Sequence, residues 1–444
     1  MSAVRPRRSD GGYVLCWVIG DQERRGSSPV VKSPSAFKGQ RILKFFMWIV
    51  SQIGAREHYA IPRALVSAGE LGVLCTDAWV RPGSVWASLP GTRRLRDRYH
   101  DELAGEAVFA PTARMLAFEV GQRLRRSRGW DAIIARNTLY QKYLVAHLAA
   151  VAESFDSGDP PTLFSYSGAA LELFRFAKAR GWSTVLGQID PGPEEERLVE
   201  AESRRYPELR TSWKPNPPIY WEQWREEVAL ADRIVVNSEW SLQCLVKEGV
   251  PTEKMEIVPL VYEQFVGGLF TERPAKESLN LQILFLGQIN LRKGMGRLLE
   301  AMRLLKDDPI SLTLAGPSEI DPSAWTDLPR VKWVGVVPRS EVGKFYQAAD
   351  LFILPTLSDG YALTQLEALA HGLPVLASRH CGEAVIHGSN GWLLSDLEPA
   401  TIAEALRIAR EILPLPKVGM PAFGMKELAE RLVRNVGGET GGKC

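Results

Sequence analysis

Two short segments of this 444-residue chain carry residue types that could handle a phosphorylated substrate. The first follows a leucine- and isoleucine-rich run at 281–286 and reads Gly287-Gln288-Ile289-Asn290-Leu291-Arg292-Lys293-Gly294, after which a helix-like segment begins. Gly287 lets the backbone turn closely at a strand end. Arg292 and Lys293 set two cations beside a helix N-terminus, whose free N–H groups add partial positive charge; the combination suits a diphosphate. Taken alone, the segment also reads as a solvated basic turn. The second segment runs from Pro355 to Glu367. A strand ends at Pro355 and a helix starts near Ala362, so Asp359 lies in the loop and Glu367 inside the helix. Two carboxylates are thereby held at one end of a sheet. Gly360 and the N–H groups that follow, through Tyr361, Ala362 and Leu363, can approach an anion closely. The plain alternative is an Asp helix cap with a buried, paired Glu.

Other chemistries find little support. Five scattered cysteines without a C-x-x-C argue against a disulfide scaffold or a zinc site. His371, His380 and His387, with Cys381 among them, match no usual metal spacing, so no metal is expected. Neither a P-loop nor a G-x-G-x-x-G dinucleotide fingerprint is present. A net charge of +2 from 54 basic and 52 acidic residues does not mark a nucleic-acid binder. With 45% hydrophobic residues the chain is globular, and no run is long and apolar enough for a spanning helix.

The elements that must position these segments follow from periodicity. Short β-branched runs occur at 41–51, 71–76, 131–135, 162–165, 183–187, 233–237 and 256–260, separated by helix-like stretches such as 57–67, 139–150 and 169–180. A second series at 281–286, 311–315, 331–335, 351–354, 373–377 and 392–394 alternates with helices at 295–306, 340–348, 364–371 and 399–412. This is the rhythm of two α/β, doubly wound parallel sheets. Ligands of such sheets bind beyond the carboxyl ends of the strands, which places the site in a cleft between the domains. The polar, glycine-containing stretch at 262–278 reads as the linker. The segment 194–205 is charged on most faces and reads as a solvated helix. Residues 1–39 read as a disordered extension, with Met47 an alternative translation start.

Asp359, seven residues, then Glu367-Ala368-Leu369-Ala370-His371-Gly372-Leu373-Pro374-Val375 resembles the E-x7-E signature of retaining GT-B glycosyltransferases, the glycosyl transferases group 1 or family 4-like enzymes. Gly287 to Gly294 resembles that group's basic diphosphate loop. The stretches 331–338 and 349–355 are similar in order and spacing, and 231–238 resembles the segment that closes the family's N-terminal domain. The resemblance covers about residues 42–412 and is stronger in the back half. It implies a GT-B fold, with an acceptor-side Rossmann-like domain at 40–262, a linker at 263–278, a nucleotide-sugar domain at 279–412, and a tail at 413–444 that packs back on the N-terminal domain. It implies a retaining, metal-independent hexosyl transfer from a nucleotide-diphosphate sugar to a glycan, lipid-linked or small-molecule acceptor. On this resemblance Arg292 and Lys293 hold the diphosphate, Glu367 takes the ribose hydroxyls, Asp359 faces the donor sugar, and Gly287 and the amides of Gly360, Tyr361, Ala362 and Leu363 line the donor site.

The chain departs from the family pattern. The first acid is Asp359 rather than Glu, Gln288 stands where Arg is frequent, and the N-terminal-domain segment 185–190 lacks the family's His. Acceptor positioning then falls to Gly54, His58, Gln188 or Asp190, with His58 placed on the helix after the first strand. Arginine clusters at 93–98 and 123–128 flank Met115, Leu116, Phe118 and Val120. They form either a basic amphipathic face for anionic lipid or two solvated turns over an ordinary helix face. The expected location is the cytoplasm, with peripheral contact at the inner membrane face. A catalytically silent nucleotide-sugar-binding or partner-binding protein of the same fold is the competing class, and turnover separates the two.

Overall fold

The described residues form two sheets whose paired strands are all parallel, one of seven strands and one of six. The computed structural model describes residues 47–84, 95, 97–155, 159–262, 280–413, 419–420 and 423–436. The extension read at 1–39, the linker read at 263–278, and Arg93, Arg94 and Arg96 lie outside them.

The first sheet comprises β1 (Trp48–Gln52), β2 (Leu71–Thr76), β3 (Val108–Phe109), β4 (Thr162–Tyr166), β5 (Ser183–Gly187), β6 (Arg233–Val236) and β7 (Met255–Ile257), in the order β3-β2-β1-β4-β5-β6-β7. The second comprises β8 (Leu281–Leu286), β9 (Ile310–Ala315), β10 (Val331–Trp333), β11 (Leu351–Leu354), β12 (Val375–Ala377) and β13 (Gly391–Leu393), in the order β10-β9-β8-β11-β12-β13. Parallel strands need crossover helices that cover both faces, which is why β1, β4 and β11 are buried along their whole length. The strand order reverses between β1 and β4 and again between β8 and β11. Neighbouring connections leave in opposite directions at these points and open a crevice at the carboxyl ends.

The helices of the first domain are α1 (Ala60–Ala68), α2 (Thr112–Leu124), α3 (Trp130–Phe155), α4 (Leu171–Lys178), α5 (Pro193–Arg205), α6 (Pro218–Leu230) and α7 (Glu239–Lys247). Those that follow are α8 (Met295–Leu304), α9 (Val342–Ala348), α10 (Leu363–Ala370), α11 (Pro399–Ile412) and α12 (Met425–Arg431). One sequence expectation fails outright: 131–135, read as a strand, lies in the 26-residue α3. Ile133 and Ile134 suggested a strand, but Tyr140, Leu144, Leu148 and Ala152 are buried at every fourth position. That stripe packs the helix against the sheet and overrides the local β-branched pair. The short β3 at the sheet edge carries too few residues to show a period.

The charged segment 194–205 is also not a solvated helix. It is α5, opened by Pro193 with three glutamates in the first turn and closed by Arg204 and Arg205, a charge order that suits the helix dipole. Val199, with Tyr206 and Leu209 just beyond, belongs to the core of the second sheet. Glu202, 3% exposed, accepts from Arg297 at 2.9 Å, and Arg205 pairs with Glu398 at 2.8 Å. α5 therefore springs from the first sheet and docks on the second.

After the second sheet the chain crosses back to the first domain. Leu428 and Ala429 of α12, with Leu432 and Val436 after it, join the apolar cluster of α1 and the first sheet. Leu432→Ala would leave a cavity under a fully buried site and cost about 2–5 kcal/mol. The expected outcome is a lower urea midpoint for the transition reported by the first domain, with a smaller effect on the second.

Candidate active site

Both chemistry-bearing segments fall at the β8/β11 switch point. β8 ends at Leu286, and Gly287 turns with φ 148°. The neighbouring Gly316 lies so close that a Cβ there would meet the Gly287 carbonyl oxygen at 1.9 Å. The basic loop is tied down by Ile289 N–H donating to the Pro317 carbonyl at 2.8 Å and Lys293 N–H donating to Asn290 Oδ1 at 3.1 Å. Gly294, at φ 74°, caps α8 and touches the turn after β11, where a Cβ would lie 1.8 Å from the Pro355 carbonyl oxygen. β8 and β11, neighbours in the sheet with β9 and β10 between them in the chain, are thus clamped together, and Lys293 is brought onto Asp359.

The charges meet there. Lys293 Nζ contacts the Asp359 carboxylate. Arg292 Nη1 lies 3.3 Å from Asp359 Oδ2 and donates to the Ser358 carbonyl at 3.2 Å. Burial would raise the Asp359 carboxyl, but Lys293 and Arg292 override it and hold it down at about 2. The Asp359 N–H donates to the His380 carbonyl at 2.9 Å, so the loop is fixed by backbone as well as charge. Gly360 packs against the first domain, and a Cβ on it would lie 2.3 Å from the Ile189 carbonyl oxygen. Tyr361 is buried with its ring over Gly382, Ala362 N–H donates to the Cys381 carbonyl at 2.9 Å, and Leu363 opens α10. Further along α10, Glu367 accepts from the Tyr346 hydroxyl at 2.9 Å. Burial raises its carboxyl, with Tyr346, Arg339 and His371 opposing.

The first domain supplies the other wall. Gln188 is buried and engaged at both ends: its amide nitrogen donates to Asp190 Oδ1 at 3.0 Å, and its oxygen accepts from Trp224 at 2.9 Å. It orients Asp190, whose Oδ1 also accepts from Gly192 N–H at 2.9 Å. Burial raises Asp190, against the backbone of Gly192 and the charges of Arg292 and Arg56. Gly54, at φ 86°, follows β1 and donates its N–H to Asp77 Oδ1 at 2.8 Å, where Arg98 also binds at 2.9 Å. His58 is not on α1. It sits in the 3-10 turn Arg56–Tyr59, in which Glu57, His58 and Tyr59 all have positive φ. Three non-glycine residues in that region store backbone strain at the cleft. The turn carries His58 across to Arg339, with Nη2 to Nε2 at 2.7 Å. Burial pushes His58 down, and Arg339, His100 and Arg63 add to it.

Sequence reasoning missed several residues of this wall. Glu195, at the start of α5, lies 3.7 Å from Arg292. Glu57 is pushed up to about 7 by burial, against Arg56 and Tyr166. Trp240 on α7 stacks on His380 with ring centroids 3.9 Å apart and donates to Ser358 Oγ at 3.1 Å. The available signal was position: each follows a strand of the first sheet at its carboxyl end. Among the described residues, no group of three or more His, Cys, Asp or Glu side chains is arranged to hold a metal, and no helix is long and apolar enough to cross a membrane.

The Asp359 cluster makes stability depend on pH. A carboxyl held below its ordinary value of 3.8 contributes stability above that value and loses it as pH falls toward about 2. The difference is worth roughly 2–3 kcal/mol. The stability gap between the wild type and Asp359→Asn should therefore be largest near neutral pH and shrink as the solution is acidified, as denaturant titrations at several pH values would show.

Residues 280–410 match the glycosyl transferases group 1 family. The amylovoran biosynthesis glycosyltransferase AmsK of Erwinia amylovora is 29% identical over 180 residues, covering 36% of this chain and 43% of that protein. A D-inositol 3-phosphate glycosyltransferase of Corynebacterium urealyticum is 30% identical over 205 residues, covering 40% and 48%. The chain spans about half the length of the curated relatives it matches, or less. HepE of Anabaena, solved with UDP and glucose, superposes with a TM-score of 0.53 at 16% identity, covering 87% of this chain and 95% of HepE. Sucrose-phosphate synthase of Thermosynechococcus elongatus gives 0.51 at 17% identity, covering 87% and 94%. The two parallel-sheet domains have the GT-B fold, and the second of them carries the glycosyl transferases group 1 match.

Proposed function

We propose that the protein is a retaining glycosyltransferase that moves a sugar from a nucleotide-diphosphate donor to a glycan, lipid-linked or small-molecule acceptor. The observation that carries this reading is the pair of adjacent cations, Arg292 and Lys293, at the β8/β11 switch point beside the head of α8. Two such cations suit an anion, and the Asp359 carboxylate contacts both. In this reading the donor diphosphate takes over Lys293 and Arg292, and Glu367, beside Tyr346, receives the ribose hydroxyls. Asp359 then turns toward the sugar.

As the bond from the anomeric carbon to the diphosphate oxygen breaks, negative charge grows on the leaving group. Fixed cations and helix N–H groups stabilise that charge without reorganising. The same two side chains supply the positive charge that a metal provides elsewhere, so transfer is proposed to be metal-independent. Positive charge at the anomeric carbon is offset by Asp359. The acceptor approaches from the first domain, between Asp190 and the strained turn at His58.

A charge-assisted contact that strengthens in the transition state is worth roughly 1.5–3 kcal/mol. Lys293→Ala should lower turnover by about ten- to a thousandfold with a smaller change in donor KM. Glu367→Ala should act mainly on KM. UDP-glucose is the first donor to test, because HepE, of the same fold, is seen with UDP and glucose. Activity should survive excess chelator; complete loss restored by Mg²⁺ would contradict the metal-independent reading, and donor binding without turnover for every donor would favour the silent alternative.

Peripheral contact with anionic membrane is part of the same proposal. On α2, Met115 is buried, whereas Val120 and Leu124 are 54% and 81% exposed. They stand beside the exposed Arg123, Arg125, Arg126 and Arg128. Exposed apolar side chains next to arginines suit a lipid surface of negative charge. Binding to vesicles containing phosphatidylglycerol should weaken as salt rises and fall when Arg123, Arg125 and Arg126 are neutralised. Equal binding to neutral vesicles would contradict it.

A further inference from the structure

Arg292 has a third partner, and it comes from the other domain. Glu195 is the third residue of α5, the helix that leaves the first sheet and docks on the second. Its Oε2 is shut off from solvent, makes no hydrogen bond, and lies 3.7 Å from Arg292 Nη1. The guanidinium therefore stands between Asp359 and Ser358 of the second domain and Glu195 of the first. Nothing in the roles proposed above uses Glu195.

Resting on the transferase reading, we propose that Glu195 is a positioning residue of the donor site: it reaches Arg292 from the opposite domain and yields it to the donor diphosphate. Charge decides the exchange. Asp190 and Asp359 face Glu195 along with Arg292, and Tyr220 of α6 and Cys244 of α7 stand near it. Burial pushes both the Tyr220 and Cys244 protons up, so those two groups stay neutral. Burial also lifts the Glu195 carboxyl to about 8, with Arg292 and Ser358 opposing and Asp190 and Asp359 adding to the rise. Asp359 is held at about 2. Of the two carboxyls that pair with Arg292, Glu195 is thus the one that neutralises more readily.

A neutral Glu195 no longer competes with the diphosphate for Arg292. A bound diphosphate raises the Glu195 value further, so binding takes up a proton, and donor affinity falls as pH rises through about 8. The exchange of Glu195 for the diphosphate takes place when the donor binds, so its effect falls on KM, whereas that of Lys293 falls on kcat.

The test is titration calorimetry of UDP-glucose into the full chain at about pH 7, 8 and 9, in buffers of different ionisation enthalpy. UDP-glucose has no phosphate that titrates in this window. The wild type should take up protons and lose roughly three- to tenfold in affinity over the range. Glu195→Gln, a neutral isostere, should bind independently of pH, at or above the wild-type affinity near neutrality, with no proton uptake. A wild-type pH dependence retained in Glu195→Gln would overturn the proposal and leave the transferase reading standing. Should that variant not fold, absence of proton uptake by the wild type overturns the proposal equally. If the wild type binds neither UDP-glucose nor UDP at any pH while folded, the donor-site reading itself fails.

Discussion

The contact on which the structure turns is a buried carboxylate shared by two adjacent cations, Asp359 with Lys293 and Arg292. Taking such charges out of water costs several kcal/mol per ion, and hydrophobic residues of similar size would often pack as well or better. A protein that needed only stability would have no reason to keep them. What the cluster does provide is an adjacent pair of positive charges at a crevice, held against one carboxylate. Everything around it serves to hold it: the close approach of Gly294 to Pro355, the Asp359 amide on His380, and the Arg292 bond to Ser358.

The second requirement is that the first domain reach the cluster. It does so with α5, whose far end is buried in the second sheet's core and whose near end presents Glu195. Gly360 against Ile189 and Trp240 against His380 and Ser358 add two more touching points around the same loop. The loop that carries Asp359 is thereby sensitive to the relation of the domains. A ligand that draws Arg292 away from Asp359 and Glu195 acts on both domains at once. Charged and strained groups, including the turn at Glu57, His58 and Tyr59, collect on the facing wall of the first domain.

Much of this was legible in the residues. The alternation of short apolar runs with helical stripes identified two doubly wound sheets, and the segments at Gly287–Gly294 and Pro355–Glu367 stood out because glycine, paired cations and acids occur together after strands. The failures have physical causes. The α3 start looked like a strand because Ile133 and Ile134 dominate a short window, whereas its helical stripe emerges only from Tyr140 onward. α5 looked solvated because charge pattern alone cannot distinguish a water-facing glutamate from Glu202, whose charge is matched by Arg297 ninety-five residues away. The engagement of Gln188 by Trp224 and the crossing of His58 to Arg339 are likewise contacts between distant segments. They depend on which strands become neighbours, and a single sequence does not state the order β1-β4-β5 or β8-β11.

In the proposed function the two cations that contact Asp359 are the seat of a donor diphosphate. The most direct measurement is a crystal structure of the protein with UDP-glucose bound. Diphosphate oxygens are expected within hydrogen-bonding reach of Lys293 Nζ and the Arg292 guanidinium, with the ribose at Glu367 and the Asp359 carboxylate separated from Lys293. A nucleotide bound elsewhere, with the Lys293–Asp359–Arg292 contacts unchanged, would contradict it.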